Sequence, residues 1–462
     1  MPRQSRRLRG LGPECGTGLV PPSSPGTEPL VSCAFATEIP AALLSVLTAG
    51  GTYSSDATRH VTLVSDLVIP KGKQVSVCNV RFSSTRMTMK IVVSGAKTAL
   101  AMCGGGVSGG ALVLGAGANA VLMGGVVLSI DPADTTTPSL LSVESGATAS
   151  LASATLLGPS LAPAIRCASG GRTHLVDCQV GFRRNAACIC DPASALVATR
   201  TSFNQLSAGA AALCGPPGLL GPALRPWEGT RLAAWLAGAL GEENPFRSPA
   251  EPGVAFLVFE GAAMDLSARC VIGTGPDLDA AVLASNSVVS LTDSSILVTP
   301  ADVEGGRPCA ARRSPGIGVA AVEGASVLVR DTSTISSFAT GIWAHGGRGR
   351  PSSVRVSNSG IFSCVSGVTA VHESTVLLTD ADIESEGAPL ATSRNAHVAL
   401  QGDRTAPVPA SSTPDGVSGD FHSPCCSPSI PSSKRSRREP SVMPLDRGAA
   451  YPSGASSLPA CP

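Results

Sequence analysis

The sequence predicts an all-β fold, a parallel solenoid of about 22 to 24 residues per turn, and two observations carry that prediction. The first is a recurring phrase: SVVSLTDSSI at 287–296 is echoed by SVLVRDTSTI at 326–335, SSVRVSNSGI at 352–361 and STVLLTDADI at 374–383. Each phrase alternates apolar and other residues, reaches an Asp or Asn, and closes on an isoleucine, so each reads as a strand with one inward face. The inward pairs are Val289 and Leu291, Val327 and Val329, Val354 and Val356, Val376 and Leu378, then Val398 and Leu400. Val354 to Val376 and Val376 to Val398 are steps of 22 residues, and Val327 to Val354 is one of 27. A second strand family follows the phrases: GIGVAAVEG at 316–324, GIWAHGG at 341–347 and GVTAVHE at 367–373. The second observation is composition. With 51 Gly but only 3 Trp, 2 Tyr and 10 Phe, the core must be built from small and β-branched side chains, which suits stacked strands and tight turns. Scarce Trp and Tyr also weigh against a sugar-stacking cleft.

In chain order, residues 1–32 are rich in Pro, Gly, Ser and Arg and are expected to form a disordered basic leader. MPRQSRRLRG is followed by LGPECGTGLVPPSSPGTEP and not by an apolar core, so no secretory signal peptide is recognisable. No run approaches the roughly 20 apolar residues of a membrane helix. The fifteen cysteines therefore point to a reducing compartment and free thiols. The solenoid domain is placed at 33–403.

Residues 36–82, ATEIPAALLSVLTAGGTYSSDATRHVTLVSDLVIPKGKQVSVCNVRF, open that domain. Together with the repeat they resemble the right-handed parallel β-helix superfamily, the pectin-lyase-like fold, over residues 36–403. The resemblance implies a short amphipathic helix at about Pro40 to Leu47 capping the open end of the solenoid, with GGTY and LVSDLVIPKGKQVSV starting the first strands. GGGVSGGALVLGAGANA, residues 104–120, has glycines at dinucleotide-like spacing, but no βαβ unit follows, and glycine there relieves crowding at tight turns.

The N-terminal half repeats the grammar in weaker form. ATASLASATL (147–156), GRTHLVDCQV (171–180) and ASALVATRTSF (193–203) supply the inward pairs Ala149 and Leu151, Thr173 and Leu175, and Ala195 and Val197. Cys167, Cys190 and Cys214 follow at steps of 23 and 24, and are expected to stack as small core residues. Residues 174–194, HLVDCQVGFRRNAACICDPAS, are similar in texture to the cysteine-rich β-helix of the large early transforming proteins of adenoviruses, a likeness that implies binding of host nuclear proteins.

Residues 215–252 interrupt the strands. Leu232, Trp235, Leu236 and Leu240 recur at helical spacing between Pro-rich flanks, so an insertion with a short amphipathic helix is expected. Its stripe either docks on the adjacent sheet or binds a partner through Trp235, Leu236 and Leu240. Residues 404–462 read as a disordered Pro- and Ser-rich tail, whose Lys434, Arg435, Arg437 and Arg438 form a compact basic cluster. Such a cluster fits nuclear import, or is a solvated charge run.

Asp293, Asp331, Asn358 and Asp380 occupy one repeat position, where a strand ends and the chain bends, and their expected role is that of turn residues. The enzymatic alternative takes Asp380, Asp382 and Glu384 on one face with His372 as an acid/base partner, near Glu373, His345 and Arg348. Calcium enters only if the chain is a lyase; otherwise no cofactor is expected. The polygalacturonase motifs of that superfamily, Asn-Thr-Asp, Asp-Asp, Gly-His-Gly and Arg-Ile-Lys, are missing here. Cys188 and Cys190, and the adjacent Cys425 and Cys426, lack zinc-knuckle spacing.

A net charge of +1, from 34 basic against 33 acidic residues, gives no pull toward nucleic acid or an anionic membrane. The expectation is a nuclear or cytoplasmic, non-catalytic scaffold that binds a protein partner or itself, a viral or nuclear accessory protein. A lyase or glycosidase acting on a uronate polymer and a homo-oligomeric capsid- or fibre-like module are the alternatives.

Overall fold

The computed structural model describes residue 35 and residues 39–84, 89–130, 137–158, 162–206, 253–275, 278–298, 314–347, 349–393 and 395–401. All of them fall within the first of two compact units, Met1–Val408. The expected leader, the 215–252 insertion and the 404–462 tail lie outside the described residues.

Among the described residues the chain is an all-β parallel solenoid of about eleven turns with one helix. Its strands form a sheet of 22 and a sheet of 12, every strand pair being parallel. The larger sheet bends to make two walls and the smaller makes the third. In a typical turn, wall one is a five-residue strand such as Thr375–Thr379, wall two follows as Asp382–Ser385, and wall three as Leu390–Ser393. The 22-residue step is observed directly, because Val354 is in register with Val376 and Val376 with Val398. The second strand family of the sequence is wall three, including Ser314–Val322, Phe338–His345 and Ser366–Val371.

Two-sided sheets explain the burial. Along Thr375–Thr379 the pattern runs exposed, buried, half-buried, buried, half-buried, so Val376 and Leu378 point inward. Stacked rungs place Val327, Val354 and Val376 over one another, and each rung is covered only by its neighbours. Five phenylalanines, Phe82, Phe182, Phe203, Phe256 and Phe338, are the largest fully buried side chains of an otherwise aliphatic interior.

One end is closed by helix α1 (Ala41–Ala49), close to the expected Pro40 to Leu47. Ala-Ala-Leu-Leu starts it with good helix formers, Leu43 and Leu47 share a face at i, i+4 spacing and are buried, and Gly50 ends it at φ 89°, a conformation that favours glycine. The first turns are carried by the long strands Gly51–Leu63, Gln74–Ser84 and Ala99–Ser108, each serving walls one and two.

Two expectations are corrected by register. Leu175 is paired with Ala198 and Thr173 with Leu196, so Leu196 and Ala198 face inward, and the expected Ala195 and Val197 face out. Cys167 is paired with Ile189, not Cys190; the two cysteines sit on opposite faces of wall three, and Cys214 lies outside the described residues. In both cases the turn, 23 residues from Thr173 to Leu196 and 22 from Cys167 to Ile189, differs by one residue from the step that the sequence spacing predicts, which is enough to move a side chain to the other face.

Wall three has a further property. Its outward apolar side chains between Cys188 and Val371 are buried and form a second cluster, separate from the interior, that includes Leu257, Phe259, Leu283 and Trp343, while the outward Thr340 and Thr369 are half-buried. Outward residues at the two ends of the same wall, Val68 and Ser393, are exposed.

Candidate interaction surfaces

The corner between walls one and two is the repeated device of this fold. Ser153, Asp177, Arg200, Asp293, Asp331, Asn358 and Asp380 stand there with φ between 47° and 56°. Asp and Asn tolerate this left-handed conformation better than most residues, which accounts for their recurrence at the end of the strand phrase. The corner amides continue the ladder: Asp177 N–H donates to the Thr199 carbonyl at 3.1 Å, Asn358 to Thr379 at 3.0 Å and Asp380 to Gln401 at 3.1 Å. The acidic ladder read from sequence is thus the turn of the solenoid.

The corner then turns small polar side chains inward, Cys178, Thr201, Cys270, Ser294, Ser333 and Ser359, all buried. Each folds back on local backbone or links two rungs. Ser294 Oγ donates to the Thr292 carbonyl at 2.9 Å, and the Ser294 amide donates to Ser333 Oγ at 3.2 Å. Burying hydroxyls is tolerable because the strand-end carbonyls accept from them. Burial raises the thiols of Cys178 and Cys270 and pushes Cys167 up to about 12, so these groups are held as neutral packing atoms, away from nucleophilic chemistry. At the surface of the corner, Arg200 hydrogen-bonds Asp177 through Nε at 2.7 Å and Nη2 at 2.8 Å, holding that carboxyl below its usual range.

The residues of the enzymatic reading fall into two groups, one at each end of Thr375–Thr379. Asp380 is a corner residue, while Asp382 and Glu384 alternate outward on wall two, both exposed. His372 and Glu373 occupy the opposite corner, where wall three passes into wall one, at the other end of Thr375–Thr379. A five-residue strand separates them from Asp380 by about 16 Å. His345 is buried on the outward side of wall three, between Trp343 (ring centroids 5.3 Å apart) and His372 (4.6 Å). Arg348, the basic cluster Lys434, Arg435, Arg437 and Arg438, and the stripe Trp235, Leu236 and Leu240 lie outside the described residues. Among the described residues no three His, Cys, Asp or Glu side chains converge as a metal site. No helix of the described residues is long and apolar enough to cross a membrane.

What converges instead is surface. Walls one and two each present a flat outer face of side chains in columns, one per rung. On wall one a column runs through Met123, Ala152, Val176 and Thr199, with Met123 39% and Val176 36% exposed. Polar residues rim it: Arg172 and His174 share the strand of Val176, and Asp177 and Arg200 follow at the corner. Sequence reading missed this patch because outward Val and Met break the alternation only locally. It also missed Arg166, buried on the outward side of wall three in an ion pair with Glu144, which accepts a further hydrogen bond from Ser142 Oγ at 2.8 Å.

No family model matches the chain. No curated protein matches it either. Among solved structures it is similar to a hyper-glycosylated TibA fragment whose glycosylation is catalysed by TibC: 10% identity, 75% of this chain and 97% of that chain covered, TM-score 0.23.

Proposed function

We propose that the chain is a non-catalytic scaffold that binds a protein partner, or a second copy of itself, through the outer face of wall one. The observation that carries this reading is the exposed apolar column of Met123 and Val176 on a rigid flat wall, rimmed by charged side chains. Apolar residues stacked in register give a partner a contact whose geometry is fixed before it binds, so little ordering entropy opposes association. The corner acids support the same reading, since their conformation and backbone bonds account for them as turn residues.

The full-length chain and its Met123→Glu/Val176→Glu variant, used as baits and in light scattering, test the surface. A partner or self-association lost from the variant, with an unchanged melting curve, is the expected result; equal binding by both would remove wall one from consideration. Uronate polymers with calcium supply the opposing test. Asp380→Asn keeps the corner conformation, so product release by the wild type that this change abolishes would make the chain a lyase or hydrolase.

We also propose that Lys434, Arg435, Arg437 and Arg438 direct the scaffold to the nucleus as an accessory protein of a virus or of the nucleus itself. A fluorescent fusion is expected to leave the nucleus when all four become alanine; an unchanged distribution would reject the signal.

A further inference from the structure

The outward face of wall three is where a solenoid built of one layer should be wet. Outward Val68, on the first strand of that wall, is 42% exposed, whereas outward Leu257, Leu283 and Trp343 are buried. The buried stretch is limited in extent. Cys190, Phe259, Ser285, Val322, His345 and Val371 are successive partners in one column, a span of about 24 Å at the usual 4.8 Å between strands. Its strands are apolar on both faces, as in VAFLVF at 254–259, which is the pattern of a sheet packed between two layers.

We infer that the covering layer is this chain's own insertion, with the stripe Leu232, Trp235, Leu236 and Leu240 seated across Leu257, Leu283 and their neighbours. Three facts select it. The chain departs after Leu206, at the end of a wall-two strand, and returns at Gly253 directly into Val254–Phe259, a strand of the buried face. Pro226 and Pro245 bracket a stretch free of proline, 227–244, whose 18 residues span about 27 Å as a helix, matching the buried column. The other long segment at this connection, TPADVEGGRPCAARR at 299–313, carries five charged residues and has neither leucine nor aromatic residue to offer. The stripe thus serves an internal contact, which leaves walls one and two as the faces open to partners.

Two cysteines on opposite faces of wall three report on this contact. Cys190 points outward and Cys167 into the interior, and both are buried. Full-length wild type and a Leu236→Asp/Leu240→Asp variant would be pulsed with a maleimide, mapped by peptide, and sized by light scattering. Cys190 is expected to react at least about tenfold faster in the variant, while Cys167 stays protected and the mass stays that of one chain. An unchanged Cys190 rate would overturn the inference, as would wild-type protection that disappears when a dimer is diluted. If Cys167 also reacts, the variant has unfolded, and benzoylphenylalanine placed at Leu240 in the otherwise unchanged chain decides. Photoadducts within one chain on peptides spanning 254–259 or 280–285 support the contact; adducts only between chains, or none there, exclude it.

Discussion

Phe256→Ala is expected to lower the unfolding free energy by about 3–5 kcal/mol, the cost of emptying a fully packed aromatic site. Phe256 is completely buried, meets Phe203 edge to face at a centroid distance of 4.8 Å, and stands in register between Ala187 and Val282. Neighbours as small as alanine cannot swing in to refill the void, so little relaxation offsets the loss. The consequence extends beyond one rung, because in a solenoid every turn is stabilised by the interface with the next. Urea denaturation followed by far-ultraviolet circular dichroism measures it. A loss below about 1 kcal/mol would mean that the interior at this rung is loosely packed.

Gly106→Ala is the second large effect. Gly106 lies in Ala99–Ser108 where wall one bends into wall two, with φ +140°, and it is paired with Val127. A Cβ there would stand 1.9 Å from the Val127 carbonyl oxygen, so the strand would have to leave its neighbour. Strain of about 1–3 kcal/mol and the lost ladder bonds, roughly 1 kcal/mol each, add together. Gly117→Ala separates the two causes: Gly117 has φ +72° but nothing within 4 Å of the added atom, so only the left-handed conformation, about 1 kcal/mol, is at stake. Equal losses in the two variants, measured by the same denaturation, would reject the steric account.

The repeat was legible because one requirement recurs in every turn: two inward apolar residues and a residue that accepts a left-handed corner. Val354, Val356 and Asn358, or Val376, Leu378 and Asp380, state it in a handful of letters. Register in the N-terminal half was harder. Ala195, Leu196, Val197 and Ala198 are all apolar, so alternation does not choose between the two faces, and the choice falls to the paired strand. The outer layer on wall three left a signal that was available and differently shaped. VAFLVF and AVLAS do not alternate, and an unbroken apolar run is what a strand buried on both faces looks like. The exposed column of Met123 and Val176 has no such mark, since a single outward valine looks the same whether it meets water or a partner.

The two ends of the solenoid are unlike. Helix α1 seals the first turn over Leu43 and Leu47, whereas the last described strand, His397–Gln401, has a paired neighbour on one side and leaves Leu400 47% exposed. Turns cohere by nearest-neighbour contact, so a turn with one neighbour holds about half the cohesion of an internal turn. Among the described residues the packing therefore has a direction: inward positions that are fully buried in the middle turns, such as Val356 and Ile361, are only half-buried at Ile383 and Val398 in the last ones, like a coil of rope wound more slackly toward its outer loops. The corner acids divide along the same axis, with Asp177 in a turn whose inward Leu175 and Val180 are fully buried and Asp380 in one whose inward Ile383 is half-buried.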